Sequence, residues 1–360
     1  MIGVYVHIPF CQKKCNYCDF YSITDFSDAK KYTDAVISEI REFYQNNDEI
    51  ADTIYFGGGT PTAIEPEFIG KILSEIKAAK NAEITIEANP KTFDSLQLMQ
   101  YKKYGINRVS MGLQSAIDDE LKLLGRIHSF ADFLNSFEML RNAGFHNINS
   151  DIMYGLPYST EKTLEKTLSE LVRLKCEHIS AYALTLSKNT PLYKMDYKYP
   201  DDDEVFSQYE LVNHMLNGYI HYEISNYASS DGKKSQHNMK YWTNKPYIGF
   251  GAGAHSYFGD KRWEIISDKE KYIAERKKEN IQIIGKNDRY FEYIMLNLRL
   301  KEGIDLKYIK DEFDIDILEK YKNQIEKNMK FGYLIHENET IFLTEKGFFV
   351  SNSIISNFLN

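Results

Sequence analysis

Val6-His7-Ile8-Pro9-Phe10-Cys11-Gln12-Lys13-Lys14-Cys15-Asn16-Tyr17-Cys18-Asp19-Phe20 places three cysteines in the pattern Cys-x-x-x-Cys-x-x-Cys directly after a short apolar run. Three thiolates at this spacing wrap one corner of a cubane cluster. A [4Fe–4S] cluster ordinarily takes four cysteines, so three leave one iron open to an exogenous ligand. The alternative is zinc, with His7 as a fourth ligand. Zinc ligands commonly come as two pairs, however, and His7 falls inside a run that reads as a strand. The remaining cysteine, Cys176, stands alone at the end of an amphipathic stretch and reads as a buried structural thiol. A disulfide framework would spread its cysteines along the chain.

Working outward, short β-rich runs alternate with amphipathic helical stretches through the first two-thirds of the chain. Strands are expected at residues 3–8, 53–56, 83–87, 108–111, 149–153 and 178–183. Helices are expected at residues 27–46, 66–79, 94–104, 129–143 and 160–174. Gly105 and Gly144 each follow such a helix and suit its left-handed terminus. The alternation implies an α/β fold with a parallel sheet, either doubly wound or a partial barrel. The unusual residues sit in loops after strands, as on the C-terminal face of a barrel. After about Lys261 the composition shifts to Lys and Glu. Helical periodicity at 288–299, 306–313 and 315–329 leads to a β-hairpin around Glu337-Asn338-Glu339. That order is winged-helix-like. With a net charge of −8, a packing or lid role is preferred to DNA binding.

A second signal lies at the end of the second strand, in Tyr55-Phe56-Gly57-Gly58-Gly59-Thr60-Pro61-Thr62. Three glycines let a ligand approach the backbone closely. The segment lacks the spacing of dinucleotide and P-loop motifs.

Together with Tyr5-Val6-His7-Ile8-Pro9-Phe10-Cys11, Ser110-Met111-Gly112-Leu113-Gln114 and Asp151-Ile152-Met153-Tyr154-Gly155-Leu156-Pro157, these words carry a resemblance. The chain resembles the radical SAM proteins, more narrowly the oxygen-independent coproporphyrinogen III oxidase family. The likeness covers residues 1–260 and extends to the tail in architecture. It implies a radical SAM partial (β/α)6 barrel over residues 1–225, a motif and Gly-rich loop region over 226–265, and a C-terminal helical domain with a β-hairpin over 266–360. It also implies a [4Fe–4S] cluster on Cys11, Cys15 and Cys18, with S-adenosylmethionine (SAM) on the open iron. By the same resemblance Tyr5 lies beside SAM and Tyr17 packs at the cluster. Gly58, Gly59 and Thr60 meet the amino group, and Glu87 accepts from the ribose hydroxyls. Gln114, Arg126 and Asp151 occupy the remaining SAM positions. Arg126 suits a carboxylate through its bidentate fork. Independently, Glu87, Gln114 and Asp151 each end or adjoin an expected strand, where they could converge on one mouth.

Two departures bear on function. The oxidases carry a further cysteine two positions after the third cluster cysteine, where this chain has Phe20. The first cysteine at position 11 also leaves no room for the oxidases' N-terminal arm. Both features resemble the oxidase-like heme chaperones of the HemW type. The segment His237-Asn238-Met239-Lys240-Tyr241-Trp242 matches the His-Asn-x-x-Tyr-Trp motif of those chaperones. The resemblance implies heme as a ligand, His237 as its axial residue, His255 as the second choice, and Lys234 or Lys240 facing propionates. It further implies a heme-acceptor protein as partner and leaves a homodimer open. Without it, a surface loop with a hydrogen-bonded His and a packed Trp is the preferred reading. No catalytic residue is assigned, and oxidative decarboxylation remains the alternative activity.

No apolar run is long enough to cross a bilayer, and the N-terminus shows no basic region or cleavage site. A cytoplasmic location is expected. The acidic balance excludes sequence-independent nucleic-acid binding.

Overall fold

Polar and apolar residues alternate in the strands, so each has one apolar and one more polar face, both largely buried. The computed structural model describes residues 1–358. The leading strands are β1 (Ile2–Ile8), β2 (Ala51–Gly58), β3 (Ala78–Ala88), β4 (Arg108–Gln114), β5 (Ile148–Tyr154) and β6 (His178–Ala183). Val4, Val6, Ile54, Phe56, Ile84, Ile86, Val109 and Ile179 are buried in the main hydrophobic core. The intervening positions are polar: Tyr5, Tyr55, Glu87, Arg108, Asp151 and Ser180. Alternation of period two sends these two sets to opposite faces.

The crossover helices are α1 (Ala29–Gln45), α2 (Pro66–Ser74), α3 (Ser95–Tyr104), α4 (Asp118–Leu123), α5 (Phe130–Asn142) and α6 (Glu161–Leu174). Their starts are written locally. Asp94, Ser129 and Thr160 each cap their helix by accepting from the backbone N–H three residues on. Gly105 closes α3 at φ 99°, a conformation other residues adopt at a cost.

The six strands pair in parallel in sequence order, with Tyr5 opposite Tyr55, Glu87 opposite Ser110 and Asp151 opposite Ser180. Residues from β2 through β6 line one internal cavity. That arrangement is a partial barrel. A doubly wound sheet would cover both faces with helices.

Past β6 come α7 (Asp202–Met215), β7 (Ile220–Glu223) and β8 (Asn226–Ala228), whose strands extend the β6 edge in antiparallel fashion. Helix α8 (Gln236–Trp242) then crosses the N-terminal ends of the strands, and β9 (Tyr247–Phe250) pairs parallel to β1. Strands β10 (His255–Phe258), β11 (Lys261–Ile265) and β12 (Lys278–Ile283) complete a 12-stranded sheet. The helix α9 (Lys269–Glu275) lies between the last two.

The tail begins with α10 (Lys286–Asn297), β13 (Ile304–Asp305) and α11 (Leu306–Phe313). The hairpin β14 (Leu334–Glu337) and β15 (Thr340–Leu343) forms a three-stranded sheet with β13, and two short helices, Glu345–Phe349 and Ser351–Ser356, follow it.

Two of the differences from the sequence reading have a plain physical cause. The second helix was expected to reach residue 79, but it stops at Ser74, and Ala78 already pairs with Ala51 in the sheet. Sheet pairing overrides the helical propensity of Lys77-Ala78-Ala79-Lys80. The stretch 315–329 also breaks into two helices at the buried Tyr321, whose ψ of 28° is not helical.

Candidate functional site at the mouth of the barrel

The cysteine loop leaves β1 through Pro9 and Phe10 and is pinned by backbone hydrogen bonds. Cys11 N–H donates to Ile23 O at 2.8 Å, and Ile23 N–H donates to Pro9 O at 2.8 Å. The glycine loop docks alongside, with Gly59 N–H donating to Ile8 O and Thr60 N–H to Phe10 O, both at 2.8 Å. A Cβ on Gly59 would stand 2.6 Å from Pro9 O, so only glycine permits this approach.

A chain of side-chain contacts runs from Cys11 to Cys15 through the glycine loop, the end of β3 and the turn after α4. Cys11 Sγ lies 3.3 Å from Thr60 Oγ1, which accepts from Asn89 Nδ2 at 2.8 Å. Asn89 Oδ1 accepts from Arg126 Nη2 at 2.5 Å, and Arg126 Nη1 points at Cys15 Sγ at 3.5 Å. Arg126 also donates to Gly112 O at 2.8 Å, while its buried Nε has no hydrogen-bond partner. The cysteine loop is tied across to α4 by Asn16, whose Nδ2 donates to Leu123 O at 2.9 Å. Tyr17 packs with Leu124, Leu156 and Leu192 in a small apolar cluster beneath the loop.

Deeper in the barrel, Glu87 accepts from Tyr55 Oη at 2.9 Å and from Gly58 N–H at 3.1 Å. Burial lifts its pKa to about 7, against the pull of the Tyr55 hydrogen bond. Asp151 is likewise raised by burial. It accepts from Asn149 Nδ2 at 2.7 Å and from Ser110 Oγ at 3.3 Å. Gln114 ends β4 at φ 73°, a left-handed conformation that a non-glycine residue holds only where its surroundings enforce it.

All three cysteines of the loop, Tyr17, Gly58, Gly59, Glu87, Gln114, Arg126 and Asp151 thus line one cavity of about 360 Å³. Thr60 reaches it through its hydrogen bonds to Cys11 and Asn89. Tyr5 stacks on Tyr55, with ring centroids 6.2 Å apart. Phe20 is largely exposed at the rim.

The donor set suits a cubane better than one metal ion. Among the described residues no group of three or more His, Cys, Asp or Glu side chains could hold a single ion. His7 has turned away, with Nδ1 on Tyr5 Oη at 3.1 Å and Nε2 on Tyr21 O at 2.9 Å. A cubane places its thiolates on separate irons of one cluster, so they need not meet at a single ion.

Several lining residues carried no local signal in the sequence. Arg108 is buried inside the barrel with an unpartnered Nε, and Asn89 joins the two loops. Inward register within an otherwise apolar strand was the available clue to Arg108.

His237 is not in this cavity. It enters the barrel from the base on α8, fully buried, with Nδ1 on Thr53 Oγ1 at 2.9 Å and Nε2 on Tyr241 Oη at 2.8 Å. Its ring stacks on Tyr55 at 5.2 Å, and burial lowers its pKa to about 3. It therefore backs the tyrosine that holds Glu87. His255 is exposed on β10, 3.3 Å from Glu264. Lys240 pairs with Asp52 at 2.7 Å and Lys234 with Asp231 at 2.9 Å, so both lysines already have carboxylate partners.

A parallel barrel with a three-cysteine loop over its C-terminal mouth defines a radical SAM protein. The model of the radical SAM superfamily matches residues 5–171, and that of the HemN C-terminal domain matches residues 284–350. Relatives named heme chaperone HemW align over nearly the whole chain. The protein of Buchnera aphidicola (subsp. Acyrthosiphon pisum) is 36% identical, covering 99% of this chain and 98% of its own. That of Bacillus subtilis is 33% identical over 100% and 99%, and that of Escherichia coli 31% over 99% and 98%. The chain belongs to the HemW family within the radical SAM superfamily. The solved coproporphyrinogen III oxidase HemN of Escherichia coli superposes with a TM-score of 0.87 at 21% identity, covering 99% of this chain and 89% of that one. At that identity the likeness carries the fold.

Proposed function

We propose that this protein is a heme chaperone: it binds heme, holds a SAM-ligated [4Fe–4S] cluster at the barrel mouth, and passes heme to an acceptor protein. The full-length likeness to relatives named heme chaperones carries the reading. Phe20 supports it, because the oxidase pattern has a cysteine at that position. In this reading Cys11, Cys15 and Cys18 hold the cluster. Glu87 meets the ribose, Gly58, Gly59 and Thr60 meet the amino group, and Tyr5, Gln114, Arg126 and Asp151 complete the SAM pocket. The cluster supplies one electron when bound; the chain's own residues bind, orient and exclude water. No helix among the described residues is long and apolar enough to cross a membrane.

For the heme, His237 is the proposed axial ligand, and its geometry sets a condition. Nε2 must exchange the Tyr241 hydroxyl for iron. Hemin titration of the anaerobically reconstituted protein, followed by absorbance, tests this. Saturation at one heme per chain is expected, with Tyr241→Phe binding more tightly because the competing hydroxyl is gone. Unchanged stoichiometry and spectrum in His237→Ala would remove the ligand assignment. Absence of saturable binding in the wild type would remove the chaperone reading. Anaerobic conversion of coproporphyrinogen III with SAM and a reductant would restore the oxidase.

A further inference from the structure

Three cations line the cavity at the mouth, and two of them are engaged beside the cysteine loop. Lys14 Nζ donates to Phe20 O at 3.2 Å, and Arg126 is held by Cys15, Asn89 and Gly112 O. The third, Arg108, opens β4 and so lies at the floor of the cavity, which Asn238 of α8 also lines. Arg108 is 2% exposed and its Nε has no partner. Among the described residues no hydrogen bond engages its guanidinium, and no carboxylate lies within ion-pair distance of it. Thr85, directly opposite on β3, leaves its Oγ1 unpartnered as well. An arginine cannot shed its proton to escape burial. A buried guanidinium without a contact partner therefore answers to charge at longer range, which in a low-dielectric interior reaches past hydrogen-bond distance.

The strand register shows which charge that is. Side chains of one face recur at every second residue. Glu87 stands two residues beyond Thr85 on β3, opposite Ser110, and is the diagonal neighbour of Arg108. Asp151 stands on β5 opposite Gly112, two inward steps above Arg108 on β4. Both carboxylates line the same cavity, and like charges so placed oppose each other's ionisation. The remaining titratable groups around them supply no counter-charge. Burial keeps His178 and His237 neutral. It also raises the phenols of Tyr5, Tyr17, Tyr55, Tyr182, Tyr222 and Tyr241. Burial raises Glu87 and Asp151 too, and Arg108 pulls both back down.

We propose that Arg108 is a positioning residue of the SAM pocket: the counter-charge that Glu87 and Asp151 share across the cavity without touching it. The inference rests on the SAM reading of the site and deepens it. It explains how a carboxylate buried in the barrel stays available as an anion for ribose hydroxyls. It also explains why a cation is kept where it has no partner of its own.

The test uses the full-length, anaerobically reconstituted protein, with equilibrium dialysis of SAM at pH 7 and pH 9. Arg108→Gln removes the charge and is expected to raise the Glu87 midpoint by about one pH unit. The anionic fraction at pH 7 then falls from one-half to roughly one-tenth, and the Kd for SAM rises roughly fivefold. At pH 9 the variant is expected to bind nearly as the wild type does. Arg108→Lys, which keeps the charge, is expected to restore most of the loss. A second readout needs no SAM: infrared titration of the protonated carboxyl stretch, assigned with Glu87→Gln, should show the same upward shift. Iron content and circular dichroism check the fold. Arg108→Met, of similar length and uncharged, carries the test if Arg108→Gln loses iron. An unshifted infrared midpoint overturns the counter-charge. So does a loss of SAM binding that is equal at both pH values or not rescued by lysine, which assigns Arg108 a direct contact instead. Wild-type protein that binds no SAM overturns the pocket itself, while the infrared shift still judges Arg108.

Discussion

Tyr55→Phe deletes one hydroxyl and keeps the ring that His237 and Tyr5 stack against. That hydroxyl donates to Glu87 Oε1 at 2.9 Å, and Gly58 N–H supplies the other hydrogen bond to the carboxylate. With burial holding Glu87 at a pKa of about 7, half of the protein carries the anion at neutral pH. A hydrogen bond to a charged group contributes about 1.5–3 kcal/mol. At 1.36 kcal/mol per unit, its loss raises the Glu87 pKa by roughly one to two units. The anionic fraction at pH 7 then falls from one-half to roughly one-tenth to one-hundredth. If the anion accepts the ribose hydroxyls, the apparent Kd for SAM at pH 7 rises roughly 5- to 50-fold. At pH 9 roughly half or more of the variant is ionised too, so the ratio of variant to wild type shrinks. Equilibrium dialysis of SAM against the reconstituted protein at pH 7 and pH 9 reads both numbers. An unchanged Kd at pH 7 refutes the role of Glu87. A loss that is the same at both pH values refutes the titration argument and leaves only a lost contact.

Other consequences follow from the same geometry. Gly59→Ala sets a Cβ against Pro9 O and Phe10 O, at 2.6 and 2.7 Å, and forces the backbone that leads into Cys11 to move. Such overpacking costs about 1–3 kcal/mol, and iron bound after reconstitution should fall. Gly218→Ala, where nothing lies within 4 Å, should reconstitute like the wild type; equal iron in both variants would refute the constraint. A third prediction concerns Glu39, which accepts from Tyr272 Oη at 2.7 Å and Gly251 N–H at 3.0 Å and is raised by burial to about 7. Below the ordinary carboxylate range both folded and unfolded states hold the proton. Between pH 4.5 and 7 the unfolded state releases it first, so stability falls as pH rises and levels off above 7. Glu39→Gln should remove up to about 3 kcal/mol of that decline, seen as a smaller difference in urea midpoint between pH 5 and pH 8. Glu87 and Glu223, also raised to about 7, remain in both proteins, so the comparison isolates Glu39. An identical pH difference in the two proteins would refute it.

What the sequence by itself determined is local or periodic. The alternation of strands and helices set a parallel α/β sheet, because period-two and period-3.6 patterns are written in consecutive residues. The cysteine spacing and the glycine run set the loops at the mouth for the same reason. Glu87 and Asp151 were legible because polar residues near the ends of apolar strands stand out, and both line the mouth cavity. Only the tertiary structure decided the rest. The chain of contacts from Cys11 through Thr60, Asn89 and Arg126 to Cys15 joins four stretches of sequence, and no local pattern encodes it. The place of His237 depended on which face α8 turns to the base of the barrel, a matter of packing against Thr53 and Tyr55 far away in sequence. Arg108 and Asn238 are ordinary polar residues in the sequence, 130 positions apart. They come to one cavity because α8 folds under the N-terminal ends of the strands. Propensity acts over a few residues, whereas a site built from five strands and a returning helix exists only once the long-range pairings have closed.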